Sequence, residues 1–175
     1  PTADKTWAYD SSTGSWSEFQ RYETDITDRG RHRSNCSTFF NNKTVCGDYY
    51  NGWLYEADFD TYKDGDDPLL ASAESQKVWD GGRRIFHSRI ELMFERGVGL
   101  LDDANQGYNP MVRLLYSDDD GNSWNDCGWK TIGLRGEYRK RVYWTRLGSS
   151  RERIYRIEVS DPVNWILATA ELYAK

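Results

Sequence analysis

Carboxylates offer the most chemistry in this 175-residue chain, with 28 Asp and Glu beside 23 Lys and Arg, 2 His and 3 Cys. A glycosidase would need two of them about 5–9 Å apart across a cleft, one as acid and one as nucleophile or base. The adjacent pairs Asp66-Asp67 and Asp102-Asp103 fall in turn sequence, where solvated carboxylates are expected. His32 and His87 lie in polar contexts with no recognisable nucleophile motif beside them. Asp118, Asp120 and Asn122 alternate as calcium-loop ligands do. Counted from Asp118, however, Trp129 stands where the bidentate Glu is needed, and Gly121 comes too early for the sharp turn. Cys36, Cys46 and Cys127 form no CxxC, so zinc lacks its spacing. Their odd count argues against a disulfide framework and for folding in a reducing cytosol. This inventory points to a non-enzyme with no catalytic residue, no metal and no cofactor.

Two other patterns carry physical meaning. Ser117, Asp119, Gly121, Ser123 and Trp124 fit Ser-x-Asp-x-Gly-x-Ser/Thr-Trp, the Asp-box of sialidases and other β-propeller proteins. Its work is structural. The Asp caps a tight hairpin turn, the Gly supplies a positive φ, and the Trp is expected to pack buried beneath. The second pattern is a basic stripe, with 8 Lys and Arg against 2 Glu between Arg135 and Arg156. A solvated strand face, a protein interface and a phosphate-binding surface all suit it. Residues 1–68 carry 7 basic and 13 acidic side chains, so a second copy of the chain offers carboxylates such as Asp58, Asp60, Asp64 and Asp66. On that ground Arg139, Arg141 and Arg146 are expected to be assembly contacts, not a DNA surface.

The elements that must position these residues are strands. Aromatics make up 15% of the chain, with 8 Trp, 12 Tyr, 6 Phe and 15 Gly, a composition that fits pleated surfaces. Asp10 to Gly14 reads as the turn of a hairpin, and Asn51-Gly52 is a two-residue turn signal. Four or five short strands fill the first sixty residues, the spacing of one propeller blade. Lys63 to Pro68 combines charge, Gly and Pro as a linker would. Beyond it, period two puts Ile90, Leu92 and Phe94 on one face, then Val112, Leu114 and Tyr116, then Tyr155, Ile157 and Val159. Glu137 to Leu147 reads as a strand with Tyr138, Val142 and Trp144 inward. The expected fold is all-β, a propeller-blade-like segment over 1–67 followed by an antiparallel β-sandwich over 68–175. No run approaches the roughly 20 apolar residues of a membrane helix, and no membrane partner is expected.

From Asn109 onward the chain resembles the packaged-DNA stabilisation proteins, the tail nozzle or hub subunits of short-tailed phages and prophages. The resemblance rests on Pro110 to Trp124, on Gly-Glu-Tyr-Arg-x-Arg-Val from Gly136, on Arg-Leu-Gly from Arg146 and on Ser-Asp-Pro-Val from Ser160. Tyr-Asp-x-x-Thr-Gly-x-Trp-Ser-Glu near the start also fits, as part of the last propeller blade of such proteins. It implies a virion structural protein, folded in the bacterial host cytoplasm and built into a homo-oligomeric ring below the portal. It further implies contacts with a portal-side adaptor, a plug or needle, and a spike or fibre. Packaged DNA would lie nearby without sequence-specific binding. The alternative is a carbohydrate-binding or glycosidase fragment built on Asp-box strands.

Overall fold

The computed structural model describes residues 4–23, 28–58, 60–65, 67–95, 97–103, 106–138 and 140–175. Every regular element among them is a strand, and all strand pairs are antiparallel. Contacts divide the chain into two units, Pro1–Leu69 and Leu70–Lys175.

In the first unit, β1 (Thr6–Asp10), β2 (Ser15–Glu23) and β3 (Asp28–Arg31) form one three-stranded meander. A second comprises β4 (Ser34–Phe40), β5 (Lys43–Asp48) and β6 (Leu54–Ala57), and β7 (Lys63–Asp64) pairs with β8 (Asp67–Pro68). Turn chemistry sets the hairpins. The Asp10 carboxylate accepts from Ser12 N at 2.8 Å, Ser12 Oγ at 2.7 Å and Thr13 Oγ1 at 2.8 Å. Those bonds, the Ser12 hydroxyl first, hold its pKa down at about 2. Asn41 and Asn42 both take positive φ, 48° and 62°, the pair a tight β4–β5 turn demands. Asn51-Gly52 departs from the two-residue turn expected of it. Gly47 pairs with Leu54 across a longer loop, in which Asn51 Oδ1 accepts from Trp53 N at 2.9 Å and Asp48 Oδ1 from Tyr50 N at 2.6 Å. The Asn side chain closes the loop, so the backbone need not make a tight pair. Among described residues this unit contributes nothing to the buried core, and Trp16, Phe39, Phe40 and Trp53 are 65–72% exposed.

The second unit holds two sheets. One is built on β16 (Glu152–Val159), flanked by β9 (Ala71–Glu74) and β10 (Val78–Trp79) on one side and by β12 (Met111–Ser117) and β13 (Asn125–Thr131) on the other. The other centres on β11 (Ile85–Phe94), with β14 (Val142–Thr145) and β15 (Ser149–Ser150) along one edge and β17 (Leu167–Ala174) along the other. Their facing sides form one core. Ile90, Leu92 and Phe94 meet Val112, Leu114, Tyr155, Ile157 and Val159, all at most 6% exposed. At roughly 25 cal/mol per Å² of apolar surface removed from water, these side chains supply the main favourable term. The architecture is an all-β, antiparallel sandwich.

β14 covers only Val142–Thr145, not the whole of Glu137 to Leu147. Gly133 and Gly136 take φ of 124° and 90° and turn the chain before it, leaving Tyr138 63% exposed. That loop meets the β11–β12 connection at Gly99, whose backbone runs against the Tyr108 carbonyl and the Arg135 amide.

Candidate functional site

The β12–β13 turn gathers Ser117, Asp119, Gly121, Ser123 and Trp124. Ser117 ends β12 with its hydroxyl buried, donating to Asp119 Oδ1 at 2.7 Å and accepting from Gly121 N at 2.8 Å. Asp119 also accepts from Ser123 N at 2.8 Å and from Ser123 Oγ at 2.5 Å. These bonds, the Ser123 hydroxyl first and Ser117 next, lower the Asp119 pKa to about 2. Asp120 and Gly121 take φ of 59° and 87°, which close the turn. Trp124 donates Nε1 to the Gly121 carbonyl at 3.1 Å. It is half-buried, not fully buried as expected, with one ring edge against Gly121 of the turn and the Arg156 guanidinium 3.7 Å over its ring. The core cluster is filled by inward strand residues, so the indole packs at its margin, and the stacked guanidinium covers one of its faces.

The alternating acids disperse. Asp118 binds Arg153, Asp120 pairs with Lys77, and Asn122 Nδ2 donates to the Asp119 carbonyl at 2.7 Å. Among described residues no cluster of three or more His, Cys, Asp and Glu is placed to hold a metal.

Asp119→Asn tests the turn. Its folded pKa lies below the ordinary 3.8, so the carboxylate contributes stability above the unfolded value and loses it as pH falls through about 2. The variant should melt earlier than wild type at pH 7, and the gap should close toward pH 2. Equal melting at pH 7 would mean that the charge does not hold the turn.

Sequence reasoning missed a polar cluster between the sheets. Arg153 is 2% exposed and donates Nε and one terminal nitrogen to Asp118 at 2.6 and 2.8 Å. Its other terminal nitrogen donates to the Leu147 carbonyl at 2.5 Å. The guanidinium lies 3.9 Å over Tyr116. His87 is 1% exposed, not in the polar context its neighbours suggest, and contacts Ser150 Oγ through Nε2 at 2.8 Å. Burial, then the charge of Arg153, lowers its pKa from the ordinary value. Burial likewise lifts Cys127 to about 11 and Tyr155 to about 12. A serine beside a histidine resembles a nucleophile and its base. Here, however, both are buried, and the far ring nitrogen has no hydrogen-bond partner among described residues. The pair packs the core and presents nothing to a substrate. One signal would have found Arg153: it shares strand parity with Tyr155, Ile157 and Val159.

The basic stripe does not form one patch. Arg153 is buried, and Arg156 binds Glu74 Oε1 at 2.6 and 2.9 Å besides covering Trp124. Arg141 is 71% exposed and only 4.0 Å from Glu91 Oε1. Arg146 is exposed in the β14–β15 turn at φ 60°. The two bracket β14 at opposite ends. Arg139 lies outside the described residues, as does Asp66. Of the other acidic candidates, Asp64 lies 3.8 Å from Arg21 and Asp58 caps its own turn through Asp60 N and Thr61 Oγ1, while Asp60 is exposed.

The surface offers shallow ground. The depression over Glu91, Met93, Lys140, Arg141, Glu171 and Tyr173 measures about 230 Å³. Its two carboxylates face each other across β11 and β17 but are spent, Glu91 on Arg89 and Glu171 on the Tyr173 hydroxyl. No helix among described residues is long and apolar enough to cross a membrane.

No curated protein matches the chain. Residues 73–175, nearly the whole second unit and more than half of the sequence, match the family described as bacteriophage P22 Gp10, β-sandwich. That extent over the described sandwich establishes the relationship: the chain belongs to the bacteriophage P22 Gp10 β-sandwich family, a family of phage tail structural proteins.

Proposed function

We propose that the chain is a nozzle or hub subunit of a short-tailed phage. Copies would form a ring that extends the tail below the portal, receives the plug and the spike or fibre, and helps to retain packaged DNA. The observation that carries this reading is the family match over residues 73–175. The surface is consistent with it, since a protein that works by contact needs faces and edges, not a cleft. Residues 1–67 are proposed to be a propeller-blade-like segment whose exposed aromatics are covered by neighbouring blades.

The proposed ring contact uses Arg141 and Arg146, together with Arg139, against acidic side chains such as Asp60 of a neighbouring copy. Rim charge pairs contribute little energy each but set partner orientation. A dense DNA-facing Arg array would instead hold DNA by counterion release and hinder its passage. Arg141→Glu with Arg146→Glu should therefore block in vitro assembly with matching tail components while leaving circular dichroism unchanged. Normal assembly by the reversed protein, with tight salt-sensitive duplex DNA binding by wild type, would exchange the partner for DNA.

A further inference from the structure

Three of the four sheet edges in the second unit carry features that discourage pairing with a foreign strand. β13 has a register shift against β12 and Gly128 at φ 87°. β9 and β10 are four and two residues long. β14 and β15 are equally short and are separated by the Arg146 turn. β17 differs. Its eight residues pair only with β11 among described residues, and Thr169–Ala174 contains no Pro, Gly or Lys. Its ladder with β11 shifts register twice: at the Leu167–Thr169 end, where β17 carries the extra residue, and opposite Tyr173–Ala174, where the extra residue, Ser88, belongs to β11 and leaves β17 itself regular.

The direction of its backbone groups follows from its contacts. Phe86 and Lys175 exchange both backbone hydrogen bonds, at 2.8 and 3.1 Å, and Ser88 Oγ donates to the Tyr173 carbonyl at 2.7 Å. Antiparallel alternation then turns Lys175, Tyr173 and Glu171 toward β11. The N–H and C=O groups of Ala174, Leu172 and Ala170 are left along the open side. Ala170 and Ala174 are exposed and small, so a second backbone can approach closely.

We infer that this edge pairs antiparallel with β17 of a second copy of the chain, about a two-fold axis at Leu172. The sequence is self-complementary in that register. Leu172 meets Leu172 and continues the apolar layer that it joins in its own sandwich. Ala170 meets Ala174. Glu171 meets Tyr173, whose hydroxyl already donates to Glu171 at 2.9 Å within one chain, with Lys175 next along the same face. Moving the axis to Glu171 would set like charges opposite each other. Moving it to Ala170 would recruit the irregular end of the strand. A two-fold contact cannot recur among ring members that all face one way. The pair therefore belongs to the unassembled chain and opens before a ring closes. Its formation does not depend on the ring reading, and assembly with tail components is measured separately.

Sedimentation of the reduced 175-residue chain over a range of concentrations tests this, together with amide hydrogen exchange. A dimer is expected. The amides of Ala170, Leu172 and Ala174 should slow as concentration rises, while those of Glu171 and Tyr173 stay protected throughout. Ala170→Pro removes a donor that points off the sheet, so it should halve the sedimenting mass without changing circular dichroism. Ala174→Lys, which puts a charge on the same edge, should do likewise if the proline disturbs the strand. A chain that stays monomeric overturns the inference. So does a dimer that survives both substitutions, or one whose three edge amides exchange at the monomer rate; either would move the contact to another face.

Discussion

Asp118→Ala should lower the stability of the sandwich by about 3 kcal/mol, because it leaves the Arg153 guanidinium buried without its counter-charge. Breaking a buried pair costs about 3–5 kcal/mol, and the lower end applies because Asp118 is 40% exposed and water can partly replace it. What remains for Arg153 is the Leu147 carbonyl, the face of Tyr116 and the neighbouring Tyr155. For a unit of this size the loss corresponds to roughly 10–20 °C in melting temperature. Asp118→Ala with Arg153→Met should recover most of it, since removing both charges removes the desolvation cost as well. Thermal melts of the three proteins decide the matter. A single variant that melts with wild type, or a double variant no better than the single, would show that the pair does not support the core.

Gly99→Ala should be nearly as damaging without altering any charge. A Cβ there would lie 2.5 Å from the Tyr108 carbonyl oxygen and 3.0 Å from the Arg135 amide nitrogen. Both obstacles are backbone, so no side chain can swing aside. Overpacking of this kind costs about 1–3 kcal/mol, and the upper end is expected where two chain segments must separate. The urea midpoint of the second unit should fall with an unchanged slope. An unchanged midpoint would mean that the loops part freely at this crossing.

The inward strand faces were readable because one side of each strand is covered. Ile90, Leu92 and Phe94 alternate with the outward Glu91 and Met93 for that reason, as Tyr155, Ile157 and Val159 do with Arg156 and Glu158. Arg153 stands in the same alternation but was grouped with the basic stripe, for which a solvated face, a protein interface and a phosphate-binding surface stayed open, because charge outweighs parity unless a partner is known. That partner, Asp118, is 35 residues away, and only the pairing of β12 with β16 brings the two together. Leu115 shows the reverse case. It belongs to the outward parity of β12 yet is 6% exposed, beside Arg156, whose long stem and stacked guanidinium shield apolar surface. Trp124 was expected buried beneath the hairpin on the Asp-box pattern; it is half-buried, because Arg156, placed beside it by the pairing of β12 with β16, takes the covering role over one face of the ring. The strand expected over Glu137 to Leu147 was overextended because Gly133 and Gly136 lie before its regular part and turn the chain.

The first unit, with no buried residue among those described, is expected to respond to heat differently from the sandwich. Its strands are held by hydrogen bonds and turn caps, while Trp16, Phe39, Phe40 and Trp53 still face water. Fewer than seventy residues without a packed interior have little free energy of their own. On the proposed ring reading, neighbouring blades that cover it would add stability by mass action. With two units divided by contact, a calorimetric transition of the whole chain is expected to depart from a single two-state event. The sandwich would then show a melting temperature of its own, whereas the first unit's transition would move with the concentration of the neighbours proposed to cover it.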